Sequence, residues 1–172
     1  RAGLGALRGD RFLSQEPVNP MSTPIFRTAT ERDLEAIVRL LADDPLGQGR
    51  EVVSGDLDEC YSSAFRAIDA DPNQLLVVVE DGDETVGCLQ LTFIPGLSRG
   101  GMWRGQIESV RVAASHRGGG VGRSLFEWAI QQCRERGCGL VQLTSDKSRS
   151  DAVRFYDSLG FEASHEGMKL AL

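Results

Sequence analysis

At 172 residues and 41% hydrophobic content, the chain is long enough for one globular domain with a buried core. Its formal net charge is −6 and no basic stripe runs along it, which argues against a nucleic-acid backbone as the main partner. The four cysteines (Cys60, Cys88, Cys133, Cys138) and two histidines have no metal-ligand spacing, and no apolar run is long enough to cross a bilayer. A metal-free cytoplasmic protein with unpaired thiols is expected.

Residues 1–20 carry Arg1, Arg8 and Arg11 without a continuous apolar core, so they are not a secretory signal. They read as an irregular upstream extension, with a bound N-terminal arm as the alternative, and the domain proper (21–172) as starting near Met21. Ile25 to Ala29 alternates and predicts a first strand. Thr30 offers an N-cap, and Leu34, Ile37, Val38 and Leu41 give helix 31–42 its apolar face until Asp43-Asp44-Pro45 ends it. A glycine-bearing loop over 43–55 leads to a second helix near 56–69, with Leu57, Tyr61, Ala64, Phe65 and Ile68 facing inward. This region holds Asp43, Asp44, Glu51, Asp56, Asp58 and Glu59, either a lip for a cationic acceptor or a solvated face.

Three strands in series follow, at 75–80, 85–94 and 103–113, the first two joined through Asp81-Gly82-Asp83. A long helix spans 121–136, and Leu140 to Thr144 forms a strand parallel to the one before the helix, because a right-handed crossover joins them. Ser148 or Ser150 caps a last helix with Ala152, Phe155 and Leu159 inward and Gly160 at its end. Residues 161–163 and 168–172 complete a closing hairpin. The expected fold is α/β (α+β): one mixed, mostly antiparallel sheet of about seven strands with helices on both faces.

The chemistry centres on Arg117-Gly118-Gly119-Gly120-Val121-Gly122, between a strand and a helix. Glycines there let the backbone approach a phosphate, and the free N–H groups of the first helical turn point at it. A dinucleotide turn belongs on the first strand of a repeating β-α-β series, and here it follows an antiparallel run. A P-loop needs a lysine that Gly122-Arg123-Ser124 lacks.

Glu108-Ser109-Val110-Arg111-Val112, this glycine loop, a long helix, a strand and then Ala152 to Phe161 (AVRFYDSLGF) resemble the GCN5-related N-acetyltransferase (GNAT) family. Arg117, Gly120 and Gly122 match that family's acyl-CoA loop, Arg/Gln-x-x-Gly-x-Gly/Ala. The resemblance implies the acyl-CoA N-acyltransferase fold and acetyl-CoA-dependent transfer of an acetyl group to a primary amine of a small molecule or peptide. The alternative is an acyl-CoA sensor without turnover. It implies that Gly118, Gly119, Gly120, Val121 and Gly122 hold the pyrophosphate, with Arg117 and Arg123 adding charge. Val110 and Val112 would bond the pantetheine, and a backbone N–H of Val110 or Arg111 would steady the oxyanion.

Glu108 stands where many members place the general base, or is a solvated acid; Tyr156 matches the general-acid tyrosine, or is core packing. Members often dimerise. Many carry Asn three residues before the position of Ala152; here that residue is Arg149, which could reach a phosphate, as could Lys147. A covalent acyl-enzyme on Cys88 or Cys138 is rejected, since neither has a neighbouring histidine. His116 beside the loop reads as a phosphate contact or a cap, and Phe93, Met102 and Trp103 as acceptor-pocket or core residues.

Overall fold

The fold was read from a computed structural model that describes residues 24–43, 50–51 and 57–172. The expected N-terminal extension, the domain start at Met21, and Asp44 and Asp56 of the acidic region lie outside the described residues. Among the described residues the sheet has five strands in the order β1-β2-β3-β4-β5. These are β1 (Ile25–Thr28), β2 (Gln74–Asp81), β3 (Glu84–Ile94), β4 (Arg104–Val112) and β5 (Leu140–Leu143). Neighbours are antiparallel except β4 and β5, which are parallel as the crossover requires.

The helices are α1 (Leu34–Ala42), α2 (Glu59–Ala70), the single turn α3 (Ser98–Gly101), α4 (Val121–Glu135) and α5 (Ser150–Asp157). A 3-10 turn, Glu31–Asp33, precedes α1. Its entry is fixed by the Asp33 carboxylate, which accepts from Thr30 N–H at 2.6 Å and Thr30 Oγ1 at 2.9 Å. The same carboxylate receives both arms of the Arg27 guanidinium, at 2.7 and 2.8 Å. At α5 the expected serine cap at Ser148 does not form. Ser148 bonds Asp146 instead, and Arg149 occupies the N-cap position without a side-chain cap.

Strand alternation sends successive residues of β2 and β3 to opposite layers. Val79, Leu89, Leu91 and Phe93 meet Leu125, Phe126, Ala129 and Cys133 of α4 on one face. Leu76, Val78 and Cys88 meet Leu34, Ile37, Leu40 and Phe65 on the other. Val77, Val78, Val79, Leu89 and Leu91 are completely buried, each side chain contributing about 1.5–3 kcal/mol.

The strand count is five where about seven were expected, because the closing hairpin does not form. Ser164 N–H bonds the Glu162 carbonyl at 2.9 Å, a turn that breaks the first strand at Ala163. From Glu162 to Leu172 every residue is exposed.

Candidate active site

The last two strands of the sheet, β4 and β5, part company halfway along β4. β4 pairs with β5 from Arg104↔Leu140 to Ile107↔Leu143, and there the pairing stops. β4 runs on to Val112, held by β3 alone, so its other edge is open from Glu108 onward. A β-bulge occurs in that stretch. Gln90 faces Glu108, yet Cys88 faces Arg111, which leaves one extra residue on β4. Ser109 takes it up with φ +54°, a left-handed conformation outside glycine.

The bulge sets which backbone groups face the opening. Val112 lies opposite Gly87, and Ala113 N–H bonds Val86 O at 2.8 Å, which marks a non-hydrogen-bonded pair. In such a pair both main-chain groups point away from the partner strand. Val112 therefore faces the open edge, and Val110, two residues earlier, does as well. Their carbonyls accept from Arg117 Nε at 3.0 Å and Arg111 Nη1 at 2.9 Å respectively. Arg111 itself turns its backbone toward β3 and Cys88. Of the two oxyanion candidates, Val110 N–H is the one on the open side.

The glycine loop closes the same end of β4. Gly118 has φ +80° and Gly120 φ +89°, and Gly120 is the N-cap of α4. The first α4 ladder bond is Ser124 N–H to Gly120 O, 3.0 Å. The N–H groups of Val121, Gly122 and Arg123 thus start the helix without an intrahelical acceptor. A methyl group at Gly122 would sit 3.8 Å from both Val112 Cγ2 and Phe155 Cζ, so this glycine joins β4, the loop and α5 at one point.

The basic residues brace this loop. Arg117 donates to the Asp43 carbonyl at 2.8 Å and its carboxylate at 2.9 Å, tying the loop to the end of α1. His116 Nε2 lies 3.2 Å from Asp81 in the β2–β3 turn, and Arg123 donates to Ser158 Oγ at 2.9 Å beyond α5. Arg149 is exposed at the start of α5, and Lys147 pairs with Glu166.

Tyr156 is half-buried on α5, its ring centroid 5.5 Å from Phe126 and 5.7 Å from Phe155. Through Phe155 and Gly122 it belongs to the loop end of the sheet. Glu108 is exposed on β4 one residue beyond the last β5 pairing. Met102, Trp103 and Phe93 fall at the opposite end. Nine strand residues separate Trp103 from the loop, about 30 Å, and Arg136 stacks 5.1 Å above the Phe93 ring there. That placement makes them core and rim rather than lining of the β4 opening.

The acidic residues of the expected lip that can be described are engaged within the chain. Asp43 holds Arg117, and Glu51 accepts from Tyr61 Oη at 2.8 Å. Asp58 caps α2 through Cys60 N–H, and Glu59 pairs with Arg66. Burial pushes the Cys88 thiol up to about 12, unlike a poised nucleophile.

Two features escaped sequence reasoning. The Ser109 bulge carries no glycine to announce it. Ser145 Oγ, two residues past β5, is buried without a hydrogen-bond partner among the described residues. Its oxygen is therefore left for a water or a ligand to bond, as are Arg104 Nε and Arg111 Nε. No local signal distinguishes it from the serines around it.

The pattern of the Acetyltransferase (GNAT) family matches residues 34–161. The chain is similar to a Bacillus halodurans structure described as a transcriptional regulator: 50% identity, TM-score 0.85, covering 87% of this chain and 100% of that one. It is 29% identical to the aminoalkylphosphonate N-acetyltransferase of Salmonella typhimurium over 140 residues, 81% of this chain and 85% of the relative. It is 32% identical to the streptothricin acetyltransferase of Streptomyces lavendulae over 160 residues, 81% and 82% of the two chains. The match spans the open β4 edge, the glycine loop and α5 together: the chain belongs to the GNAT family and is an N-acetyltransferase.

Proposed function

We propose that the protein transfers the acetyl group of acetyl-CoA directly to a primary amine of a small molecule or peptide. The observation that carries this reading is the coincidence of an open strand edge, a positive-φ glycine turn with free N–H groups and an unpaired buried hydroxyl at one end of the sheet. These fit a long ligand with a polyanionic end and an amide-bearing arm. The N–H groups of the loop from Gly118 to Arg123 would hold the pyrophosphate, the helix dipole adding about 0.3–1 kcal/mol. The carbonyl of Val110, the N–H of Val112 and the Ser145 hydroxyl would bond the arm, in the manner of an added strand. Arg117 contributes by fixing the loop to Asp43.

When bound, acetyl-CoA supplies an activated acyl thioester. Val110 N–H is aimed at the edge where its carbonyl oxygen gains charge. Glu108, exposed beside that edge, accepts the proton of the incoming amine directly or through water. An amine with a pKa near about 10.4 costs roughly 4–5 kcal/mol to neutralise at pH 7, so this help is needed. Tyr156 Oη returns a proton to the departing sulfur. The names of the two acetyltransferase relatives support a small-molecule acceptor.

The test is thiol release from acetyl-CoA across a panel of amines, with Tyr156→Phe as the diagnostic variant. Its kcat should fall about 100-fold while acetyl-CoA affinity stays within about threefold. Unchanged turnover removes Tyr156 from the mechanism. Tight acetyl-CoA binding with no release on any amine would favour a cofactor-sensing module, the reading toward which the description of the Bacillus halodurans structure leans.

A further inference from the structure

The C-terminal end of α4 brings two of the four thiols together. The helix stops in a two-bond cap: Cys138 N–H bonds the Cys133 carbonyl at 2.9 Å, and Gly137 N–H bonds the Arg134 carbonyl at 3.0 Å. Gly137 takes φ +77°, the left-handed conformation such a cap needs. In this cap the residue just past the glycine touches the one five positions earlier, ordinarily through apolar side chains. Here both are cysteines.

The backbone bond limits how far apart they can be. With standard bond lengths and a trigonal carbonyl, an N···O distance of 2.9 Å holds the two Cα atoms no more than about 6.8 Å apart. Disulfides join Cα atoms about 4.4–6.8 Å apart. The side chains meet as well, since Cys138 packs against the cluster that contains Cys133. Burial raises both thiols, and each also acts on the other: Cys138 raises Cys133 further, and Cys133 draws Cys138 back. Cys133 is sealed under the helix and Cys138 is half-buried, so one sulfur is reachable from outside and the other only through it.

We propose that Cys133 and Cys138 are a two-electron redox pair, which a hydroperoxide converts into a disulfide across the C-terminal cap of α4. The Cys138 sulfur attacks a peroxide oxygen. The O–O bond breaks, an S–O bond forms, and the leaving oxygen takes up the proton that the thiol released. The Cys133 sulfur then attacks the Cys138 sulfur. The S–S bond forms, the S–O bond breaks, and water departs with the Cys133 proton. The thiol pair loses two electrons and the peroxide gains them. A dithiol reductant reverses the bridge by exchange. Burial keeps both thiols protonated at neutral pH, so proximity rather than acidity drives the step, and it quickens as pH rises. The bridge pins the joint where α4 hands the chain to β5, a joint already tied to β4 by Gly139 N–H on the Trp103 carbonyl at 2.9 Å.

Hydrogen peroxide added to the full chain carrying Cys60→Ser tests this. Free thiols, counted after denaturation, should fall from three to one, and dithiothreitol should restore all three. Trypsin cuts after Arg123, Arg134, Arg136 and Lys147, so without reductant the peptides 124–134 and 137–147 should appear as one linked species. In a mixture of light and nitrogen-15-labelled chains, that link should join only peptides of the same isotope. Adding Cys138→Ser should leave both remaining thiols intact, because Cys133 is reached only through Cys138. Three thiols surviving peroxide overturn the proposal, as does a Cys138 oxidised to sulfinic acid beside a Cys133 still free. A link formed between light and heavy chains, or one that takes in Cys88, also overturns it.

Discussion

Gly105 lets α4 approach the sheet closely, and its replacement by alanine measures that approach. A Cβ there would lie 2.2 Å from Cys133 Sγ, far inside contact distance, while Leu91 Cδ1 at 3.5 Å and Cys133 Cβ at 3.6 Å are ordinary neighbours. The clash is therefore with one atom. Sγ can leave only by changing χ1, and one of the three staggered positions is closed in a helix. Cys133 is buried between α4 and the sheet, with little room to receive it. Overpacking of this kind costs about 1–3 kcal/mol. Gly105→Ala should thus lower stability by about 2–3 kcal/mol in urea melts followed by circular dichroism, or about 5–10 °C in Tm for a chain of this size. Cys133→Ala removes the offending atom at a cost of about 1 kcal/mol. In the double variant the two costs should not add, and a favourable coupling of about 1 kcal/mol or more is expected. Strict additivity, or a Gly105→Ala cost below about 0.5 kcal/mol, refutes the reasoning.

The glycine loop gives a paired contrast. Gly120→Ala meets nothing within 4 Å, so its cost is conformational at φ +89°, about 1–2 kcal/mol; it should raise the KM for acetyl-CoA in a steady-state assay. Gly122→Ala makes only ordinary contacts and should leave KM within about threefold. Asp33→Asn should cost about 2–3 kcal/mol, discounted because Arg27 is a third exposed. The Arg27 guanidinium holds the Asp33 carboxyl well below the usual carboxylate range, so its stabilisation is full above the unfolded value near about 4 and is lost as pH falls below it. The variant should flatten that acid arm of a stability-against-pH curve. Finally, burial pushes Cys88 and Cys133 up to about 12, so a thiol reagent at pH 8 should label Cys60 in the native state and these two only after denaturation.

Most of the fold was legible because its signals are local. β2 and β3 announce themselves by apolar runs around a Gly82 turn, and α4 by its 3.6-residue period between two positive-φ glycines, Gly120 and Gly137. The final hairpin misled because alternation reports what a segment wants to bury, whereas strand formation needs an edge in reach. The glycine loop was legible for the same local reason. The fates of Arg117, His116 and Glu51 were not, since each is decided by a partner at least ten positions away: Asp43, Asp81 and Tyr61. The described part of the acidic lip goes the same way: Asp43, Glu51, Asp58 and Glu59 each meet a partner within the chain.

The extra residue at Ser109 sets the phase of the strand beyond it. A regular ladder counted from Glu108 opposite Gln90 would bring Val110 opposite Cys88 and Val112 opposite Val86, and both would spend their N–H groups on β3. The residue taken up at Ser109 puts Arg111 opposite Cys88 instead and turns Val110 and Val112 to the opening. A slip of one residue that irons out the bulge at constant length would therefore close the edge with no side chain changed.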